Sequence, residues 1–212
     1  MGLISSFQAA NIWGQVAFVV LLVAEVFNWL CFCMNDWGLY DTNPTNADDE
    51  LGFGVWRLCG RTEPDSLCQD LDGWRLTWYG AFQGFMVFGF MGVNLALFFV
   101  ILVLFVPQCN SNKETRVFSI VSAIVAVICY IVALVLFGVK FDETYDAGFD
   151  TEEYFICFYF AIVVAVLSLV VAICLVIGIS GGHSIGHAPS SGPSTGGEGS
   201  GGSNSKGHPS KK

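Results

Sequence analysis

Eight cysteines and three histidines are the residues of this chain with the most chemistry to offer. Cys59 and Cys68 lie in a polar segment with eight residues between them, a spacing that fits a small hairpin closed by a disulfide. A cross-link over so short a loop contributes about 2–3 kcal/mol; the alternative is a pair of free thiols, which suits a reducing compartment. A metal centre is not expected, because His183, His187 and His208 all fall in a Gly/Ser-rich tail far from those cysteines. There is no nucleophile elbow, phosphate loop or Cys-x-x-Cys, so neither an enzyme nor a cofactor is expected. Cys109 follows the end of an apolar run, where cysteines are either reversibly acylated or left as plain thiols. Cys129 and Cys174 read as small apolar helix residues, and Cys31 and Cys33 flank the end of another run.

Glu25 is the most conspicuous of the polar groups. It interrupts an apolar run, with Asn28 one turn on, and no basic residue occurs inside any other run. An ionisable group inside a membrane marks function by default; the competing reading is a carboxyl that is hydrogen-bonded within a bundle.

Four long apolar runs must position these groups: 12–34, 80–106, 117–139 and 154–180. Each reaches the ~20 residues needed to cross a hydrocarbon layer of ~30 Å, and lipid forces each to be helical. With 13% charged residues against 54% hydrophobic, the chain has too little charge to coat a soluble domain of this length. The first run has no Lys or Arg before it, exceeds a signal-peptide core and has no small-residue cleavage site, so it is expected to be retained.

The segments between the runs set an orientation. Residues 35–79 carry nine acids and three arginines, and residues 140–153 carry six acids and one lysine, whereas the short 107–116 segment holds Lys113 and Arg116. A disulfide between Cys59 and Cys68 requires an oxidising compartment, and basic residues favour the cytoplasmic side. The expected layout has a cytoplasmic N-terminus (1–11), an extracellular loop (35–79), a cytoplasmic loop (107–116), a second extracellular loop (140–153) and a cytoplasmic tail (181–212) too rich in Gly, Ser and Pro to fold. In the first outer loop, Leu51, Phe53 and Val55 alternate with glycines as in a strand, and 67–71 offers a return strand. The two acidic loops either gather cations through their summed field or are ordinary solvated loops. A net charge of −9 gives no reason to expect a nucleic-acid partner. The glycines Gly80, Gly84, Gly89 and Gly92 suit close helix packing. Trp74, Trp78 and Tyr79 read as an interfacial aromatic belt, and the rings of Trp37 and Trp56 also suit the headgroup level.

The first outer loop resembles that of the claudin and peripheral-myelin-protein superfamily of four-helix proteins, which includes auxiliary gamma subunits of channels and receptors. The family pattern is a Trp near the exit of the first helix, then Gly-Leu-Trp, two residues, Cys, eight to ten residues, Cys. Trp37 matches the first element, Gly54-Val55-Trp56 the second with Val for Leu, and Cys59 and Cys68 the pair; Arg75 matches a basic residue before the second helix. The resemblance implies an all-α membrane protein, a four-transmembrane-helix bundle with a small disulfide-stapled antiparallel β-sheet in the first extracellular loop. It implies a plasma-membrane protein at cell–cell junctions that meets claudin-like proteins in cis and in trans, or else a subunit of a channel or receptor. Two features depart from the family. Only about ten residues separate Cys68 from the second run, which abbreviates the last strand, and the final Lys212 does not suit a PDZ scaffold.

Overall fold

In a computed structural model, residues 7–8, 10–41, 50–60, 68–71, 73, 77–110, 112–145 and 152–180 are described. Arg75, Trp74 and the tail from 181 onward lie outside them.

Among the described residues, four helices are long and apolar enough to cross a membrane, which makes the chain a multi-pass membrane protein. Helix α1 spans Ile12–Cys33. It is capped by Asn11, whose side-chain oxygen accepts from the Trp13 backbone N–H at 3.2 Å, and it closes with Met34 N–H on Leu30 O at 3.0 Å. Helix α2 spans Thr77–Phe105, α3 Lys113–Tyr145 and α4 Ile156–Ser180; a single helical turn, Pro107–Asn110, joins α2 to α3.

The helices pack as a ring, α1 against α2 and α4, with α3 closing the far side. Their outward faces are apolar, with Val26, Phe88, Ile128 and Val166 among the exposed residues. A soluble protein does not tolerate so large an apolar surface, and lipid covers it without cost. Inside, small residues (Ala17, Ala24, Ala96, Ala126, Ala161, Ala172) let the backbones approach. Of the four glycines picked out in the second run, two serve this purpose. A Cβ on Gly92 would lie 3.0–3.1 Å from Ala126 atoms of α3, and one on Gly89 would lie 3.0 Å from the Tyr130 ring. Gly84 has nothing within 4 Å of such a Cβ. Gly92→Val is therefore expected to lower stability by about 1–3 kcal/mol through overpacking, whereas Gly84→Ala leaves it unchanged or slightly raised. Thermal unfolding in detergent measures both.

Five short antiparallel strands cap one end of the ring: β1 (Gly38–Asp41), β2 (Glu50–Phe53), β3 (Arg57–Gly60), β4 (Cys68–Asp70) and β5 (Glu152–Tyr154). They lie in the order β4-β3-β2-β1-β5. The return strand expected within 67–71 forms β4 and pairs with β3, with Cys59 opposite Cys68 as the hairpin spacing predicts, while β2 bonds to β1 and β3. The sheet differs from the sequence expectation in one way. The fifth strand comes from the second inter-helix segment and pairs Gly38 with Tyr154.

The helix limits shift for related reasons. The fourth helix begins at Ile156, not 154, because Tyr154 is held in the sheet. The third extends from 113 to 145 instead of 117 to 139. At its start Asn112 accepts the Glu114 N–H at 2.9 Å; near its end Phe141 adds an apolar turn that stacks on Phe137 at 4.9 Å and meets Phe53 of β2 at 5.4 Å. The second helix starts at Thr77, three residues before the apolar run, since Tyr79 and Gln83 are tied to the sheet.

Candidate functional site at the sheet end of the bundle

The turn between α1 and β1 anchors the cap. Trp37 is fully buried (0% exposed). Its ring lies edge-on to Phe82 of α2 at 5.0 Å and to Phe137 of α3 at 5.5 Å, with Phe158 of α4 at 6.5 Å. Its indole Nε1–H donates to Cys31 O at 2.7 Å. Its backbone N–H donates to Phe53 O at 2.7 Å, and its carbonyl accepts from Phe155 N–H at 3.0 Å. This corrects the expectation of a ring at the headgroup level. Trp37 joins all four helices to β2 and to the residue that follows β5, and its polar atoms are satisfied within the protein as burial requires.

Trp56 is closer to the expectation. It is 38% exposed and meets Phe32 edge-on at 5.4 Å, beside the open face of α1. Between the two tryptophans, Gly54 donates its N–H to Arg57 O at 2.8 Å and accepts the Tyr79 hydroxyl on its carbonyl. Gln83 Nε2 reaches Val55 O at 2.9 Å and Leu71 O at 3.2 Å. Tyr79 and Gln83 thus fasten α2 beneath the sheet. Tyr79 is buried, so it does not belong to an interfacial belt, and Trp78 is half-buried.

The disulfide joins Cys59 to Cys68 across the β3–β4 pair, where the two residues stand opposite each other with Cα atoms 4.1 Å apart. Asn35 Nδ2 lies 3.2 Å from Cys59 Sγ, linking the bridge to the end of α1. In the same ladder Arg57 pairs with Asp70 at 3.3 Å, but both side chains are well exposed, so this contact adds little stability. Cys129 and Cys174 are buried in their helices, Cys31 and Cys157 are buried near the cap, and Cys33 is exposed. Cys109 is half-buried in the turn at the opposite end. Among the described residues no three His, Cys, Asp or Glu side chains gather as ligands for a metal ion.

A second polar centre lies inside the membrane-length part of the bundle. Glu25 is half-buried and accepts at both oxygens: Asn28 Nδ2 at 3.1 Å and Trp29 Nε1 at 2.8 Å. Asn28 is completely buried, and its other side-chain atom accepts the Tyr130 hydroxyl from α3. Cys31 Sγ lies 3.8 Å from the same hydroxyl. The chain Glu25–Asn28–Tyr130 crosses the ring from its lipid side to its centre.

Tyr130 escaped sequence reasoning, although a hydroxyl in the middle of an apolar run opposite Asn28 was a usable signal. Tyr130→Phe leaves the Asn28 oxygen unpaired and is expected to cost about 1 kcal/mol. The Asn28→Leu/Tyr130→Phe pair should cost less than the sum of its singles. Unfolding by denaturing detergent from mixed micelles measures all three.

Together these features define a membrane bundle whose cap is fastened to every helix, with one polar chain running inward from the lipid face. Neither a protein-family model nor a curated protein matches this sequence.

Proposed function

We propose that the chain is a claudin-like membrane protein of cell–cell contacts, contributing to adhesion or to a barrier with a cation-selective path between cells. The observation that carries this reading is the assembly of the motif residues. Trp37, Gly54, Trp56, Cys59 and Cys68 converge on one stapled sheet held at one end of a four-helix ring. A sheet so fastened is a rigid platform, suited to meeting a like surface on a facing membrane. In this reading the sheet and both acidic segments lie outside the cell and both chain ends lie in the cytoplasm. The cap binds rather than transforms its partner, so the protein is not an enzyme. The acid excess in 35–79 and 140–153 favours cations over anions near the cap.

The same architecture serves an auxiliary subunit of a channel or receptor. The half-open carboxylate of Glu25 favours this second reading, because it faces neighbours in the same membrane.

The test is to express the tagged chain in cells that lack junctional strands, mixed with untransfected cells. Enrichment only where two expressing cells touch is expected, with loss in Trp56→Ala and Cys59→Ser. Even distribution over the surface overturns the self-adhesive reading and directs attention to a partner within the membrane.

A further inference from the structure

Glu25 sits eight residues before the sheet-side end of α1, a depth of about 12 Å at 1.5 Å per residue. A glutamate side chain does not reach headgroups from there. No Lys, Arg or His occurs in α2 or α4, and those of α3 stand near its two ends. Among the described residues, the four helices therefore supply no cation at this depth.

Asn28 and Trp29 hold the carboxylate in place yet use only two of its roughly four acceptor positions. The Trp29 ring, 51% exposed, turns its N–H back to Glu25 and rests edge-on against Phe90 of α2 at 4.9 Å. Phe90 stacks on Phe32, which leads to Trp56. The result is an aromatic track over the α1–α2 seam, the most loosely closed of the four, with a fixed carboxylate at its inner end.

We propose that the face formed by Glu25, Trp29 and Phe90 docks a transmembrane helix of another protein, one that carries a lysine or arginine in the sheet-side half of the membrane. Charge complementarity selects the occupant. An acid within hydrocarbon is strongly favoured by an opposite charge on a neighbouring helix, and aromatic faces beside it suit a cation. A second copy is a poor occupant, because a symmetric pairing across this face sets Glu25 against Glu25. The partner lies in the same membrane, so this docking and the contact role proposed above can fail independently.

The full-length chain, reconstituted in phosphatidylcholine vesicles, tests the docking with single-span Leu/Ala peptides that carry Lys, Leu or Glu about a third of the way along. Association is read by energy transfer between labelled protein and labelled peptide. The Lys peptide should bind about tenfold more tightly than the Leu peptide, and the Glu peptide less tightly than either. Glu25→Gln should abolish the Lys preference. The wild-type series decides the matter even if that variant folds poorly. Equal binding of the Lys and Leu peptides, or a Lys preference that survives in well-folded Glu25→Gln, overturns the proposal. So does tighter binding by a peptide copying residues 12–33, which places a second copy on the face.

Discussion

Trp37→Ala should unfold the cap at a temperature lower than wild type by on the order of 10 °C. The side chain is fully buried among Phe82, Phe137 and Phe158, and removing so large a ring costs about 3–5 kcal/mol through lost contacts and the cavity left behind. The loss also strips the Cys31 carbonyl of its indole donor. Trp37→Phe keeps much of the ring contact and loses the hydrogen bond, so its cost should be nearer 1 kcal/mol. Tryptophan-fluorescence melts in detergent separate the two variants. An Ala variant as stable as wild type would show that the cap does not depend on this ring, a result at odds with an interior position.

Gly54→Ala should be the other severe substitution, although it adds a single carbon. A Cβ there would stand 2.6 Å from Asn35 Cα and 2.5 Å from its Oδ1. The glycine has little room to move aside, because its N–H is bonded to Arg57 and its carbonyl to Tyr79. Overpacking against backbone costs about 1–3 kcal/mol, and the upper end is expected here. Asn35→Ala should not rescue it, since the Cα clash persists. The measurement is the thermal midpoint of the single and double variants; rescue by Asn35→Ala would locate the conflict in the side chain instead. Here the motif glycine is explained by close approach: the β2–β3 turn lies directly on the chain leaving α1.

The helices were legible in the sequence because lipid permits little else for apolar runs of that length. The stapled hairpin was legible because cysteine spacing encodes a distance. What escaped was whatever depends on segments meeting across the bundle. Glu152-Glu153-Tyr154 has no apolar alternation and becomes a strand only because β1 offers it an edge. Trp37 resembles any aromatic residue at a helix exit until the chain folds back over it. The third helix outruns its apolar stretch because Phe141 finds a sheet to pack against, and hydropathy cannot register a neighbour contributed by residue 53. Glu25 and Asn28 stood out as polar intrusions, but their link to Tyr130 joins helices on opposite sides of the ring.

The pairing of β1 with β5 also carries a timetable. β1 follows the first helix, while β5 arrives only after α2 and α3 have been made. The β3–β4 hairpin can close its disulfide early, because its cysteines are near neighbours in sequence. The Trp37 pocket cannot: Phe137 and Phe158 are among its walls, and the Trp37 carbonyl waits for the N–H of Phe155. A chain stalled before its fourth segment would hold a cross-linked hairpin beside an open strand edge, with the Trp37 pocket lacking its Phe158 wall and the Trp37 carbonyl lacking its donor. An open strand edge and incompletely covered apolar surface are the features that make a folding intermediate prone to aggregate, so the last helix closes off the hazard that the first strand opens.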